Sequence, residues 1–203
     1  MKTQIVNIFA ALVLSSGIAK TTYATAPAKN TTYTVVTGIS AINKIEVHGN
    51  VELYVSDGNT DQVKVYNNYY NQSALVQGKN GVLRISSYKT EKLVVWVTAN
   101  DLRVITAFDN AEVKSFGNLS KIDFTVDLHN NATAKLNLDA FTAIVTIHDD
   151  ARAYLSGTAN DYDLKYNRPE NICETGFVAQ HALKTLTTKK VVAKTDLDEL
   201  ANL

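Results

Sequence analysis

One stretch of this chain repeats the same pattern three times. Residues 102–113 read LRVITAFDNAEV, residues 122–134 read IDFTVDLHNNATA and residues 143–153 read AIVTIHDDARA. Each is an alternating strand, then two Asn or Asp residues, then Ala, one polar residue and one small apolar residue. The pairs are Asp109-Asn110, Asn130-Asn131 and Asp149-Asp150, and their second members stand 21 and 19 residues apart. An alternating segment this short cannot bury its apolar face alone. Stacking such units about 4.8 Å apart joins their inner faces into one core and pairs each backbone with the next. A period near 20 residues in an all-strand sequence therefore predicts an all-β fold, a single-stranded β-helix (β-solenoid) with coils of about 20 residues. A β-sandwich of similar strand spacing is the other architecture this pattern allows. Asn and Asp tolerate left-handed backbone and bond their own main chain, so the pairs are expected at corners. Ala111, Ala132 and Ala151 would then point inward at tight bends, and polar side chains at equal height would form ladders.

The same grammar begins earlier. Ile45, Val47, Val51, Leu53 and Val55 share one parity, while Glu46, His48, Asn50, Glu52 and Tyr54 share the other. Side chains on a strand alternate between faces, so one face is apolar and one mostly polar. Val47-His48-Gly49-Asn50-Val51 is a related form of the repeated corner, with Gly49 where a bend wants it. Asp57-Gly58-Asn59 and Lys79-Asn80-Gly81 carry turn chemistry around short strands at Val63, Val65, Leu83 and Ile85. Residues 93–97, containing Trp96, form the most continuous apolar run and are expected to be buried on both faces. Ten Tyr with only one Met and two Pro fit strands better than helices.

The two ends read differently. Lys2, an apolar stretch over residues 5–18 and small residues up to Ala24 have the form of a secretory signal cleaved after Ala24. The apolar run is too short and broken for a membrane span of about 20 residues. Residues 25–37, rich in Thr and Ala, are expected to be an extended leader, and residues 38–188 the folded domain. The tail over residues 189–203 is expected to cap the open end of the stack, with a short helix signalled by Thr195-Asp196-Leu197-Asp198. Without residues 1–24 the chain keeps 18 basic and 20 acidic residues, a net charge of −2. That balance excludes general nucleic-acid binding, which needs a basic patch. The single cysteine, Cys173, can form no internal disulfide and is expected to be buried as a small apolar side chain.

The opening run from Ile45 to Val55, the Val63-Lys64-Val65 strand, the turn before Leu83-Arg84-Ile85 and the strand–corner units after Leu102 together resemble a family of exported bacterial proteins. This is the putative auto-transporter adhesin, head GIN domain family. The resemblance spans roughly residues 38–185 and implies a right-handed β-helix following a signal peptide. Corners in that family are often rich in Ser and Gly, whereas here they are Asp-Asn, Asn-Asn and Asp-Asp. The resemblance implies adhesion and brings no catalytic mechanism or defined ligand.

The residues themselves carry no recognisable catalytic motif: there is no GxSxG, HExxH, CxxC or phosphate-binding glycine loop. No catalytic residue, cofactor or metal ligand is assigned. His129 and His148 occupy equivalent places before successive corners and would stack on one outer column. Phe108 holds the preceding place and is expected to interrupt it. Metal binding there is the alternative to an exposed polar column that tolerates His, and calcium at the Asp/Asn corners is an alternative that turn chemistry makes unnecessary. Asp123, Asp127, Asp149, Asp150 and Arg152 supply the residue types of a carbohydrate-cleaving site, without the long loops that would wall a cleft. Candidate binding residues are Tyr66, Tyr69 and Tyr70, in a Tyr/Asn cluster suited to sugar or protein contact, and the corner row Asp109, Asn110, Asn130, Asn131, Asp149 and Asp150.

The expectation is an exported, non-enzymatic surface or periplasmic binding module, with a glycan, an envelope polymer or another protein as partner. An envelope hydrolase or lyase and a purely structural envelope protein are the alternatives.

Overall fold

The computed structural model describes residues 33–39, 41–67 and 74–187. The expected signal segment, the expected C-terminal cap, Tyr69 and Tyr70 lie outside the described residues. The described chain is all-β, with no α-helix and therefore no helix long and apolar enough to cross a membrane. In chain order the strands are β1 (Thr34–Val36), β2 (Lys44–Gly49), β3 (Val51–Asp57), β4 (Gln62–Val65), β5 (Ala74–Lys79), β6 (Val82–Ser87) and β7 (Leu93–Ala99). Then follow β8 (Val104–Ala107), β9 (Glu112–Ser115), β10 (Leu119–Leu128), β11 (Thr133–Ile147), β12 (Arg152–Tyr166) and β13 (Ile172–Leu186). A 3-10 turn, Pro169–Asn171, precedes β13. All thirteen strands join one sheet, which curls into a nearly closed, barrel-like wall around the core.

From β8 onward successive segments stack in parallel, each one sequence period after the last. Thr125 of β10 lies opposite Val104 of β8. Leu138 of β11 lies opposite Leu119 of β10, and Arg152 of β12 opposite Thr133 of β11. Ile172 of β13 faces Ala153 of β12 in the same way, and a bulge then shifts the register by one residue before Phe177 meets Gly157.

The first half does not pair in sequence order. β2 and β3 rest in parallel on β8 and β9, far downstream in the chain, with Lys44 opposite Val104 and Glu52 opposite Glu112. Their other edges carry β6 and β7, with Lys44 opposite Val82 and Val51 opposite Leu93. The earliest rung in sequence is thus an inner rung in space. Antiparallel strands finish that end: β5 on β6, β4 on β7 and β1 on β4. Asn80 and Gly81, both at positive φ (51° and 79°), make the two-residue turn joining β5 to β6. That turn matches the natural twist of paired strands. β1 takes up residues assigned from sequence to an extended leader, because the free edge of β4 offers unpaired backbone groups.

The inward parity is almost wholly apolar, with Ser87 of β6 a buried polar exception. Ile45, Leu53, Ile85, Ile105, Phe124 and Leu138 are fully buried, and so are the corner residues Ala111, Ala132 and Ala151. Later rungs bend a second time where the alternation skips, at residues 120–123, at Phe141-Thr142 and at Asn160-Asp161, and within the first of these Lys121 folds in to pair with Asp57. Two sequence expectations fail here. Leu93, Val95 and Val97 are buried, but Val94 and Trp96 are half-buried, because among the described residues no second layer covers the outer face of β7. Cys173 is exposed, with its Sγ 3.2 Å from Thr175 Oγ1. It lies on β13, the last described rung, which among the described strands pairs only with β12.

Candidate functional site

The corners show what the Asn/Asp pairs do. Gly49, Asp109, Asn130 and Asp149 all adopt left-handed backbone, with φ of 81°, 59°, 58° and 52°. Asp and Asn tolerate that region better than other non-glycine residues. Their side chains then reach along the stack. The Gly49 amide donates to Asp109 Oδ2 (3.1 Å), the Asp109 amide to Asn130 Oδ1 (3.2 Å) and the Asn130 amide to Asp149 Oδ2 (3.4 Å). Asn131 and Asp150 donate their own amides to the carbonyls of Asp109 and Asn130, both at 2.9 Å. Asn110, Asn131 and Asp150 stay exposed on the outer side, and Asp150 pairs with Arg168 at 2.5 Å. The ladder satisfies backbone groups that a tight corner would otherwise leave open.

The acidic residues considered for carbohydrate cleavage do not converge. Asp123 lines a depression with Arg103 and Lys121, whereas Asp149 borders another with His148 and Thr187. Asp127 is taken up between two histidines, His129 and His148. The His129 and His148 rings stack in parallel, 4.4 Å apart between centroids. Phe108 extends the column instead of interrupting it, lying 4.6 Å from His129 and 4.4 Å from His48. A flat ring of either kind continues such a stack, so exchanging imidazole for phenyl leaves it whole.

The outer face of β3, β7 and β9 carries a continuous strip of aromatic rings. In-register pairing puts Tyr54 beside Trp96, and their rings stack at 4.8 Å. Phe116 closes on Trp96 at 4.9 Å from one side, and Tyr66 at 6.2 Å from another. Tyr33, just before β1, reaches Tyr66 at 5.4 Å. Phe116 is 60% exposed and Tyr33 47%. Of the Tyr/Asn cluster singled out from sequence, Tyr66 belongs to this strip, while Tyr69 and Tyr70 are outside the described residues. Tyr54, Trp96, Phe116 and Tyr33 were missed. The signal for Tyr54 and Trp96 was present in the sequence, since both occupy the outward parity of their strands.

Beside the rings runs a ladder of charges. Lys92 pairs with Glu112 at 2.5 Å, Lys114 bridges Glu112 (3.1 Å) and Glu52, and Tyr54 Oη donates to Glu52 at 2.8 Å. The Lys114 ammonium also lies 5.6 Å from the Tyr54 ring centre, within cation–π range. The hydrogen bond from Lys114 holds the Glu52 carboxyl below its ordinary 4.5, and Lys92 does the same for Glu112. Glu52 in turn raises the Lys114 ammonium above its ordinary 10.5.

A carboxyl held low in the folded state adds stability above its unfolded value, and that stability is lost as pH falls through the folded one. Melting temperature should therefore hold between about pH 7 and pH 5 and fall below about pH 4.5. The Lys114 contribution is present below its unfolded value and is lost only at strongly alkaline pH. Lys114→Met should cost about 1 kcal/mol at neutral pH and make the acid limb shallower. Thermal melts of both proteins across the acid range are the check, and equally steep limbs would rule out this ladder as a source of the acid sensitivity.

Comparison with known proteins places this architecture. A crystal structure of a putative adhesin from Bacteroides fragilis superimposes with a TM-score of 0.59 at 15% identity, covering 78% of this chain and 79% of that one. A putative adhesin from Parabacteroides distasonis gives 0.56 at 16% identity over 77% and 78%. A putative lipid binding protein from Parabacteroides distasonis gives 0.56 at 9% identity over 76% and 78%. At these identities the likeness is one of fold. No curated protein sequence matches the chain. The family model for the putative auto-transporter adhesin, head GIN domain, matches residues 41–188. The chain belongs to the putative auto-transporter adhesin, head GIN domain family.

Proposed function

We propose that this protein is an exported, non-catalytic binding module of the cell envelope or surface, and that the aromatic strip is its contact face. In this reading residues 1–24 direct secretion, and the chain winds as a right-handed β-helix whose stacked rungs hold the rings rigid. The observation that carries the proposal is the run of five touching rings, Tyr33, Tyr66, Trp96, Tyr54 and Phe116, on the outside of the wall. Rigid aromatic side chains give a large contact area at low entropic cost, with polar edges for hydrogen bonding. A surface glycan or envelope polymer, with alternating apolar faces and hydroxyl rims, is the partner whose chemistry suits them. The neighbouring charge ladder would supply polar contacts to hydroxyl or acidic groups. The separate engagements of Asp123, Asp127, Asp149 and Asp150 favour this module over an envelope hydrolase or lyase.

The test is binding of residues 25–203 to arrays of glycans and envelope polymers, with the polymer afterwards sized for cleavage. Saturable binding without products is expected. Trp96→Ala should weaken it by about tenfold or more, because it removes the ring that touches three others. Tyr154→Ala, an exposed ring on β12, should leave binding unchanged. Release of shortened polymer would overturn the non-catalytic reading, and equal binding by the Trp96 variant would move the contact face elsewhere. Phospholipid vesicles belong in the same array, given the lipid-binding description of one structural neighbour.

A further inference from the structure

The stacked histidine column contains a group that neither the corner chemistry nor the aromatic strip explains. Asp127 faces outward on β10, and His129 and His148 follow the ends of β10 and β11 on adjacent rungs. Parallel pairing of Leu128 with Ile147 fixes the two histidines at equal height. Their backbones are locked as well: the His129 amide donates to Ala107 O (2.9 Å) and the His148 amide to Leu128 O (2.8 Å). Both Nε2 atoms turn to the same carboxylate. His129 Nε2 lies 3.1 Å from Asp127 Oδ2, and His148 Nε2 lies 3.1 Å from Asp127 Oδ1. The ligand atoms of the three residues all fall within 4.8 Å of one another.

We propose that Asp127, His129 and His148 form a binding site for a divalent transition-metal ion, with Zn²⁺ as the best-matched member of the class. Two imidazoles and a carboxylate are the ligand set of zinc, copper or nickel, not of calcium or magnesium, which take oxygen alone. Tetrahedral ligands about 2.0–2.1 Å from zinc stand about 3.3 Å from one another. Each Nε2 stands 3.1 Å from a different oxygen of Asp127, so the carboxylate would turn one oxygen toward the ion, or bind it through both, as the rings adjust. The two rings are nearly parallel, at 8°, so sharing one ion requires them to tilt until both lone pairs point at it. The side chains of His148 and Asp127 are 45% and 35% exposed, which leaves room for that rotation. Phe108 lies against the far face of His129 and separates it from His48, so His48 stays outside the site. Three protein ligands leave a fourth position open toward solvent, where water or a donor atom from a partner completes the shell. The site stands on different residues from the aromatic strip, so either proposal can fail without the other.

The experiment is a titration of the purified protein with ZnCl₂ in a non-coordinating buffer, followed by calorimetry. One ion per chain is expected. His129→Gln and His148→Gln should each weaken binding by about tenfold or more, and the double variant should abolish it. His48→Gln and His181→Gln should bind like the parent. Titration with Co²⁺ is independent of any variant and should give the intense visible absorption of a four- or five-coordinate site. Absence of saturable Zn²⁺ binding, undiminished binding by the His129/His148 double variant, or only the weak spectrum of octahedral Co²⁺ would each overturn the proposal. In the first case Asp127 simply bridges two histidines.

Discussion

Gly157→Ala is expected to lower the unfolding free energy by about 3–5 kcal/mol, far beyond the usual effect of adding one methyl group. Gly157 sits on β12 at φ +100°, a conformation that side-chain-bearing residues avoid. A Cβ there would lie 2.0 Å from Leu138 O and 2.9 Å from Asn137 Oδ1. Leu138 is held in the β11 ladder opposite Gly157, and Phe177 faces Gly157 from the other side, so neither backbone can move alone. The register shift between β12 and β13 falls beside Gly157, with the extra residue on β13, where Gly176 also has positive φ (72°). Gly117 provides the control. It also has positive φ (+83°), but nothing lies within 4 Å of an added Cβ. Gly117→Ala should therefore cost only backbone strain, about 1 kcal/mol. Urea unfolding of the two variants separates clash from strain, and a Gly157 variant as stable as the Gly117 variant would mean that the stacked rungs yield more than this packing implies.

The repeated corners were legible because their chemistry is local. Left-handed backbone selects Asp or Asn at Asp109, Asn130 and Asp149, and the space inside the bend selects Ala, so residue type alone betrays the position. The order of the rungs in the first half was not legible. Parallel pairing between segments so distant in the chain, as between Lys44 and Val104, leaves no mark on either one beyond an alternation that every strand shares. Trp96 shows a related ambiguity. An apolar outer face covered by Tyr54 and Phe116 reads like a strand buried under a second layer, because periodicity registers apolar character and not what covers it. The histidine pair was visible as a column, but the part of Asp127 was not. Its carboxylate meets the rings only because β10 presents residue 127 outward, next to its own histidine and within reach of the next rung's. Cys173 was misplaced because burial depends on a following rung, which a residue's own neighbours in sequence do not reveal.

Phe124→Ala should cost about 3–5 kcal/mol, through loss of buried area and through the cavity left behind. Phe124 is only 1% exposed and is among the largest fully buried side chains. Its neighbours along the stack alternate in size: Phe124 faces Ala143, and Ala143 faces Tyr162, which is 3% exposed. Small Ala143 gives room for the rings on either side, so no adjacent large side chain is free to fill the vacated space. The rungs cannot settle either, because β10 is hydrogen-bonded to β8 on one edge and to β11 on the other. A compensating size swap, Phe124→Ala with Ala143→Phe, should recover part of the loss, since total volume is restored while shape is not. Phe141 is the internal comparison. It lies on β11 at the second bend, 55% exposed, and Phe141→Ala should change stability by no more than about 1 kcal/mol. Thermal and urea unfolding of the three variants measure the contrast. If Phe124→Ala and Phe141→Ala prove equally mild, the inner face is not packed as one continuous core. The rigidity on which both the aromatic strip and the histidine group depend would then need another source.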